Sequence, residues 1–485
     1  MITAWLLLLI YGIIGTSTIN MNEDNQEQFD AIIIGVGQAG KPLALDLAGK
    51  GWKTAVIERN FLGGSCINYG CTPTKSLIAS AQIAYHARRS GDYGITTGDV
   101  RVDYPAVKKR KDEIVEQFRE GIQKKFDEAE HLTLIRGEAR FTGPKQVEVA
   151  LNEGGSRTLT ADHIFIDTGT SPRKPDLPGL DDVPWLTSTS LMELEELPQH
   201  LLIMGGGYIG LEFGQMFRRF GSEVTLIERG DQLLSREDKD IADEMATFLR
   251  DEGIIIHLNT QIERVNQDAS GAIELSLKTG DKSDKVSGSH LLIAIGTTPN
   301  TAALNLEAVG IETDKHGYIQ INERLETSQP GICALGDVKG GPAFTHISYD
   351  DYRVIRQNLL EGGNATITNR PVPYTVFTDP QLGRIGLSER EAHEQGRTFK
   401  IASIPMSSVA RAIETSQTNG LMKAIVDADT GQILGAAILG LEGGELMAML
   451  QIAMMGNVPY TSLKDAVFAH PTLAESLNTL FGEIE

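Results

Sequence analysis

Two stretches of the chain repeat one order of apolar and polar positions. In the first, residues 29–34 form an apolar run that predicts a buried strand, a helical pattern continues through residue 47, and residues 53–57 predict a second strand. In the second stretch, residues 201–204 and 223–227 predict strands on either side of another helical pattern. Each stretch therefore predicts a strand–helix–strand unit of the kind that builds a parallel sheet.

A glycine-rich turn with the spacing G-x-G-x-x-G joins the first strand to the helix in both units. These glycines permit a tight turn and a close approach of the backbone to a pyrophosphate, and the helix N-terminus supplies amide donors. In both units an acid that can accept a hydrogen bond from a ribose hydroxyl lies 23 residues after the first glycine. One such motif is a weak signal, but two complete units at identical spacing predict two bound dinucleotides. The candidate residues are Gly35, Gly37, Gly40 and Glu58 in the first unit, and Gly205, Gly207, Gly210 and Glu228 in the second.

The acid of the second unit bears on the choice of nicotinamide nucleotide. A carboxylate at Glu228 suits the free 2′-hydroxyl of NADH and repels the 2′-phosphate of NADPH. Arg229 and Arg236 lie nearby in the sequence and soften that preference. The sequence therefore favours NADH over NADPH.

Two of the three cysteines, Cys66 and Cys71, lie five residues apart just after the first unit. A structural disulfide and a pair of reduced core thiols are the two ordinary interpretations of such a pair. Its place beside a bound dinucleotide favours a third interpretation, a disulfide that is reduced and reformed during turnover. The combination of motifs thus indicates redox chemistry.

Length, charge and cysteine count narrow the classes of protein and partner. A chain of 485 residues is too long for one core and predicts several domains. Its formal net charge of −21 argues against nucleic acid or an anionic membrane as a partner. Three cysteines are too few for a secreted disulfide scaffold, and no Cys/His cluster has zinc-ligand spacing, so no metal site is predicted.

The chain begins with an apolar extension, residues 1–27, in which residues 2–14 are almost entirely apolar. That run is shorter than the ~20 residues of a membrane span, and no Lys or Arg precedes it as in a signal peptide. Met21 opens a hydrophilic stretch directly before the first strand and is favoured as the true start. We therefore expect no stable membrane span and a cytoplasmic protein; export or membrane anchoring is the alternative if residues 1–20 are genuine.

The segment GGSCINYGCTPTK, residues 63–75, resembles the redox-active segment of the class I pyridine nucleotide-disulfide oxidoreductases, of mercuric-reductase-like or dihydrolipoamide-dehydrogenase-like type. The resemblance extends from about Asp30 to Glu475. It implies an α/β fold with two Rossmann-like dinucleotide-binding domains, for FAD and NAD(P), and a C-terminal α/β dimerisation domain. The ranges expected are 28–160 with 289–365 for the FAD-binding domain, 161–288 for the NAD(P)-binding domain and 366–485 for the dimerisation domain.

The resemblance also implies roles for individual residues. The G-x-G-x-x-G motif of the first unit, the first fingerprint, binds FAD. That of the second unit, the second fingerprint, binds the nicotinamide nucleotide, whose pocket Tyr208 covers. Cys71 is the sulfur next to the flavin and Cys66 is the thiol that meets substrate. The remaining catalytic candidates are Lys75 with Glu212, which pair beside the flavin, and His470 with Glu475, an acid–base pair supplied by the other subunit of a homodimer. The further cofactor-binding candidates are Gly64, Ser65, Lys75, Thr168, Gly169, Gly296 and Asp337.

The function implied is electron transfer from NADH through FAD to a Cys66–Cys71 disulfide and on to a small disulfide or dithiol. Direct reduction of a metal ion, Hg(II) or Cu(II), is the enzymatic alternative, and a flavin redox sensor or complex subunit is a different class. No cysteine follows Cys333, so the C-terminal cysteine pair of true mercuric reductases is not expected to pass metal here.

Overall fold

The computed structural model describes residues 26–484, so the expectations for residues 1–20 lie outside the described part of the chain. The strands, in chain order, are β1 (Gln26–Ile34), β2 (Thr54–Glu58), β3 (Leu132–Gly143), β4 (Gln146–Leu151), β5 (Ser156–Ile166), β6 (Thr170–Pro172), β7 (Trp185–Leu186), β8 (His200–Met204), β9 (Glu223–Ile227), β10 (Ile255–His257), β11 (Thr260–Gln267), β12 (Ile273–Thr279), β13 (Lys282–Gly288), β14 (His290–Ile293), β15 (Thr297–Pro299), β16 (Ile332–Ala334), β17 (Tyr374–Val376), β18 (Gln381–Gly386), β19 (Phe399–Pro405), β20 (Leu421–Asp427) and β21 (Ile433–Gly440).

The α-helices, in chain order, are α1 (Gly40–Gly49), α2 (Gly64–Asn68), α3 (Cys71–Arg88), α4 (Tyr104–Asp127), α5 (Ser188–Leu191), α6 (Tyr208–Phe220), α7 (Lys239–Asp251), α8 (Thr345–Leu360), α9 (Glu389–Glu394), α10 (Ala410–Glu414), α11 (Gly443–Met455), α12 (Tyr460–Lys464) and α13 (Ser476–Gly482). None of the helices between residues 26 and 484 is long and apolar enough to cross a membrane.

The first sheet is built around β1, which pairs in parallel with β2 on one side and β5 on the other. Ile32 and Ile34 face one hydrophobic core, whereas Ala31 and Ile33 face another, so both faces of the strand are buried. That is why the strand is a continuous apolar run in the sequence. Ile34, the last residue of β1, pairs with Ile57 of β2 and with Ile166 of β5. The candidate residues that follow these positions therefore meet at one edge of the sheet.

The second sheet repeats this arrangement with five parallel strands in the order β10-β9-β8-β14-β7. Helix α6 connects β8 to β9, as the second strand–helix–strand unit predicts. An antiparallel three-stranded sheet, β11-β12-β13, is inserted in the chain between β10 and β14 of the second sheet. A small antiparallel pair, β6 with β15, lies in the two connections between the first two sheets.

The strand pairing differs from the expected domain ranges at two boundaries. The boundary expected at residue 161 falls inside β5, yet the whole of β5 pairs with strands of the first sheet. Strand β14 lies after the boundary expected at residue 288, yet it pairs with β8 in the second sheet. Both differences have one cause: the apolar pattern predicts a buried strand but does not say which distant strand pairs with it.

The C-terminal region forms a five-stranded antiparallel sheet in the order β17-β18-β21-β20-β19. Helix α11 packs on β18 and β21, where Gly383 permits close approach because a Cβ atom there would lie 2.3 Å from the carbonyl oxygen of Gly443. Leu446, Leu450 and Phe481 belong to the core of this region. The α/β architecture expected for the C-terminal region is therefore present.

Candidate active site

The first fingerprint forms a cradle in which only glycine fits. Gly35 has a φ of +96°, and a Cβ atom at Gly37 would lie 2.6 Å from Oδ2 of Asp167. Helix α1 begins at Gly40, so its N-terminus faces the same turn. Glu58 accepts a hydrogen bond from the amide of Val36 at 3.1 Å, which orients its carboxylate at the edge of the sheet. The donors and this carboxylate fit the pyrophosphate and ribose of FAD.

The second fingerprint has the same construction. Gly205 has a φ of +113°, and a Cβ atom at Gly210 would lie 2.1 Å from the carbonyl oxygen of Gly205. A Cβ atom at Gly207 would meet no atom within 4 Å, so the backbone there is open to a ligand. Glu228 accepts hydrogen bonds from the amides of Gly206 and Gly230, both at 2.7 Å. This turn fits a nicotinamide dinucleotide in the way that the first fits FAD.

The cysteine pair lies against the first fingerprint. Cys66 is in the short helix α2, and Cys71 is the first residue of α3. A Cβ atom at Gly64 would lie 2.8 Å from Cα of Gly37, so the segment with the cysteines touches the nucleotide turn directly. Ser65, directly before Cys66, is exposed. Both cysteines are free thiols, so the structure describes the reduced form of the pair.

The two thiols differ in their affinity for a proton. A hydrogen bond from the Cys66 thiol, together with Thr345 and the charge of Lys75, lowers the pKa of Cys71 to about 6 against the effect of burial. Sγ of Cys71 is 3.3 Å from Oγ1 of Thr345. The same thiol–thiol hydrogen bond and burial raise the pKa of Cys66. These contacts therefore favour the negative charge on Cys71 over Cys66.

Lys75 and Glu212 form an ion pair of 2.5 Å next to the cysteines. Lys75 lies one turn after Cys71 in α3, and its ammonium is also 4.6 Å from the ring centre of Phe377. Glu212 is buried and accepts a hydrogen bond from the amide of Phe377 at 2.8 Å. The pair thus joins the first, second and C-terminal regions of the chain at one point.

The connection between the first two sheets also lies at this edge. Thr168 donates to the carbonyl oxygen of Asn300 at 3.0 Å, and the amide of Asn300 donates to the carbonyl oxygen of Gly169 at 3.0 Å. Gly169 and Gly296 both have positive φ, and a Cβ atom at either would meet no atom within 4 Å. These candidates therefore line the crossing between the two nucleotide turns with open backbone.

Asp167 is a residue of this edge that the sequence analysis did not assign. It is buried, and its Oδ2 accepts a hydrogen bond from the amide of Gly40 at 2.7 Å. Burial, followed by the nearby charges of Asp337 and Asp351, raises its pKa well above the usual range for an acid. Burial also raises the pKa of Asp337, the candidate from the second FAD motif, to about 6. The only sequence signal for Asp167 is its place directly after β5.

Tyr208 begins α6 and is 42% exposed. Its ring centre is 6.3 Å from that of Phe344, the residue before Thr345. The aromatic ring proposed to cover the nicotinamide pocket therefore lies close to the residue that contacts Cys71.

His470 and Glu475 contact each other, with 2.8 Å between Nδ1 and Oε2. The His470 side chain is 67% exposed, and among residues 26–484 no hydrogen bond or ion pair joins this dyad to the cysteines. A cavity of about 740 Å³ lies beside the dyad and is lined by Phe468, Pro471 and Leu446 among others. Within the same described range, no three His, Cys, Asp or Glu side chains gather as they would around a metal ion.

Two nucleotide turns, a thiol pair between them and a C-terminal antiparallel sheet define a two-dinucleotide redox flavoprotein. Residues 29–351 match the family described as "Pyridine nucleotide-disulphide oxidoreductase", and residues 372–481 match its dimerisation domain. The chain belongs to the class I pyridine nucleotide-disulfide oxidoreductases and is a pyridine nucleotide-dependent flavoprotein oxidoreductase of an FAD-binding family. The predicted family and fold class are thereby confirmed.

Three known proteins illustrate the similarity. The probable pyridine nucleotide-disulfide oxidoreductase RclA of Escherichia coli (strain K12) is 39% identical over 462 residues, which cover 94% of this chain and 100% of the relative. A mercuric reductase of Streptomyces lividans is 36% identical over 452 residues, covering 93% of this chain and 94% of the relative. A solved structure described as the Cu(II) complex of the HOCl-induced flavoprotein disulfide reductase RclA from Escherichia coli has a TM-score of 0.85 and 38% identity, and covers 94% of this chain and 99% of that one.

Proposed function

We propose that the protein passes electrons from NADH through FAD to Cys66 and Cys71, and that Cys66 delivers them to a small disulfide substrate. The observation that carries this proposal is the asymmetric setting of the two sulfurs: Cys71 lies 3.3 Å from Thr345 and one helical turn before Lys75, and its pKa is lowered, whereas that of Cys66 is raised. An electron relay needs this asymmetry, because one sulfur must stay a thiolate while the other exchanges with substrate. When bound, FAD supplies the two-electron chemistry that links the nicotinamide to the cysteines.

Each group around the pair has a task in this proposal. Gly35, Gly37, Gly40 and Glu58 hold FAD, and the corresponding residues of the second turn hold NADH. Lys75 places a positive charge beside Cys71 and is itself fixed by Glu212 at 2.5 Å. Thr345 orients the Cys71 sulfur through its hydroxyl at 3.3 Å. Together these contacts keep the negative charge on Cys71 and leave Cys66 to meet the substrate.

The acid–base pair is proposed to act on the other subunit of a homodimer. Glu475 orients the imidazole of His470 through Nδ1, so Nε2 is free to take the Cys66 proton and return it to a departing thiolate. Helix α11, near this dyad, exposes Met449, Ile452 and Met455, an apolar surface of the kind that protein interfaces cover. The presence of the family's dimerisation domain supports the same arrangement.

The test is NADH oxidation by the holoenzyme with lipoamide, glutathione disulfide and bis-hydroxyethyl disulfide. We expect turnover of a disulfide by the wild type and its loss in Cys66→Ser, while NADH still bleaches the flavin absorbance in that variant. Cys333→Ala is the matched control, because Cys333 is the remaining cysteine of the chain and lies in β16, where it pairs with Phe165 of β5. Full disulfide turnover by Cys66→Ser, or none by the wild type, would refute the proposal; the latter result fits a redox sensor.

A second candidate function is reduction of Cu(II) or Hg(II) at the same sulfurs. Two observations favour it: two neighbouring sulfurs, one with a lowered pKa, suit a soft metal ion, and the similar solved structure is described as a Cu(II) complex. Metal-dependent NADH oxidation, with Cu(I) trapped by a chromogenic chelator, distinguishes this function from disulfide reduction. Wild-type turnover with a metal ion but with no disulfide would make the metal ion the substrate.

A further inference from the structure

Lys41 lies on the Cys66 side of the nucleotide turn. It follows Gly40 in the first turn of α1, and its ammonium donates to Oε1 of Gln38 at 3.3 Å. The amide of Gln38 in turn donates to the carbonyl oxygen of Gly63 at 2.9 Å, three residues before Cys66. The side chain of Lys41 is therefore tied to the segment that carries the substrate-facing thiol.

A second cation lies beside the same segment. Helix α4 packs against α2, and Ile122 of α4 and Ile67 of α2 both approach Gly63, where a Cβ atom would lie 3.0 Å and 2.9 Å from them. Lys125 is three residues after Ile122 and therefore lies on the same face of α4. It is exposed, and its charge acts on Lys41.

Within the described part of the chain, Lys41 and Lys125 both lack an ion pair. No Asp or Glu between residues 26 and 484 lies within ion-pair distance of Lys41 or Lys125. By contrast, Arg119, on the same helix, contacts Glu116 at 3.4 Å and Asn68 at 2.6 Å.

A half-buried cation without a partner is costly unless an anion arrives. Burial lowers the pKa of Lys41, and the nearby Lys125 lowers it further, whereas the acidic groups Cys66 and Asp167 oppose this effect. Lys41 in turn opposes the rise in the pKa of Cys66 that is caused mainly by its hydrogen bond to Cys71. The lysine and the thiol therefore interact electrostatically, and the contacts through Gln38 and Gly63 hold Lys41 beside the segment that carries Cys66.

We propose that Lys41, supported by Lys125, binds a carboxylate of the substrate at Cys66, so that the preferred substrate is an anionic disulfide. This inference rests on the proposed function as a disulfide reductase.

Cys66 loses its proton and its sulfur bonds to one substrate sulfur; the substrate disulfide breaks, and the departing thiolate takes that proton. The Cys71 thiolate then attacks the Cys66 sulfur, which releases the second substrate thiolate to be protonated by water and restores the Cys66–Cys71 disulfide for the next two electrons from NADH.

The test compares three small disulfides of similar size that differ in charge: dithiodipropionate is dianionic, bis-hydroxyethyl disulfide is neutral and cystamine is dicationic. NADH oxidation by the holoenzyme gives kcat/KM for each. In the wild type we expect the dianion to be reduced fastest and the dication slowest. Lys41→Gln lowers kcat/KM for the dianion by about tenfold and leaves that for the neutral disulfide within about twofold. Lys41→Glu reverses the order, and Lys125→Gln shows a smaller loss for the dianion.

Lys124→Gln is the matched control, since Lys124 is an exposed lysine on the same helix that pairs with Glu128. A fall of equal size for all three disulfides would overturn the inference, because Lys41 would then act on Cys66 alone. Loss of bound FAD from Lys41→Gln, measured by the flavin absorbance of the purified protein, would overturn it too and assign the lysine to the cofactor. A wild type that reduces the neutral disulfide without charge preference refutes this inference only, whereas a wild type that reduces none of the three refutes the proposed function.

Discussion

Lys75 and Glu212, 137 residues apart in the chain, form an ion pair of 2.5 Å between helices α3 and α6. Glu212 is buried, and its second carboxylate oxygen accepts from the amide of Phe377 in the C-terminal region. The Glu212 carboxylate therefore pairs with the Lys75 ammonium and also accepts a hydrogen bond from the backbone of the C-terminal region. Removing it leaves both without a partner, which is more damaging than losing a surface ion pair.

Replacement of Glu212 tests this double role. We expect Glu212→Ala to lower the melting temperature by about 2–4 °C, and Glu212→Gln to lower it less, because a glutamine oxygen still accepts from Phe377. Lys239→Gln is the control, since Lys239 and Asp243 form an exposed pair on one helix that contributes little. Thermal melting followed by circular dichroism measures the order; equal effects of the two Glu212 variants would contradict the role of the Phe377 contact.

The contact between Thr345 and Cys71 predicts a change in thiolate titration. A thiolate beside oxidised flavin gives a long-wavelength absorbance, so a pH titration of the two-electron-reduced holoenzyme reports the state of Cys71. We expect a midpoint near the pKa of about 6. Thr345→Val removes a donor that stabilises the charged form, so it raises the midpoint and reduces the absorbance at neutral pH. Thr345→Ser retains the hydroxyl and serves as the control; an unchanged midpoint in the valine variant would exclude the contact as a cause.

Burial of Asp167 predicts that FAD is held less firmly at alkaline pH. The folded-state pKa of this acid is raised, so the folded protein binds its proton more tightly than the unfolded chain does. Its contribution to stability is fully present below the ordinary aspartate pKa of 3.8 and is lost as the pH rises through the raised pKa of the folded state. Above that value, a carboxylate at 2.7 Å from the amide of Gly40 carries its charge next to the proposed pyrophosphate site.

Asp167→Asn isolates this charge, because its amide oxygen can still accept from Gly40. We expect wild-type FAD release, followed by flavin fluorescence, to accelerate as the pH rises, and release from the asparagine variant to stay nearly constant. Asp337 and Asp351 are present in both proteins, so any effect of their charges on FAD release is common to both. The same pH dependence in both proteins would assign the effect to those two acids instead.

The sequence contains enough to predict the two strand–helix–strand units, since strands buried on both faces are continuous apolar runs with glycine turns after them. The expected strand at residues 223–227 matches β9, and the others agree at their ends within a few residues. Strand pairing is different: β5 and β14 lie in sheets that the expected boundaries did not give them, because pairing depends on contacts with distant strands.

The same limit applies to the site: residues in a sequence motif can be predicted, whereas residues whose role depends on tertiary contacts cannot. Cys66 and Cys71 stand out through their spacing and their resemblance to a known segment. Asp167, Lys41 and Thr345 do not, because an acid after a strand, a lysine in a helix and a threonine before a histidine are ordinary residues until the fold places them. Their roles depend on burial and on neighbours more than twenty residues away, which no local pattern records.

The carboxylate of Glu228 predicts the preference for NADH. It is oriented by two amide donors at 2.7 Å, so it occupies a fixed place at the end of β9. We expect the wild type to use NADH with a higher kcat/KM than NADPH. Glu228→Ala removes the repulsion of the 2′-phosphate and changes that ratio by about tenfold in favour of NADPH. Glu223→Ala, an exposed acid at the start of the same strand, is the control; an unchanged ratio in Glu228→Ala would contradict the assignment.

Mixing two inactive variants tests whether the active site is shared between subunits. In Cys66→Ser the thiol that meets substrate is missing, and in His470→Ala the acid–base group is missing. If His470 acts on the partner's cysteines, a mixed dimer contains one site with both defects and one intact site. Random exchange of equal amounts of the two variants makes half of the dimers mixed, so disulfide reductase activity should recover to about a quarter of wild type. The control is a mixture of Cys66→Ser with Cys71→Ser, in which both sites lack one sulfur and activity stays absent. If His470 instead acted within its own chain, the mixed dimer would hold no intact site and the first mixture would stay as inactive as the second.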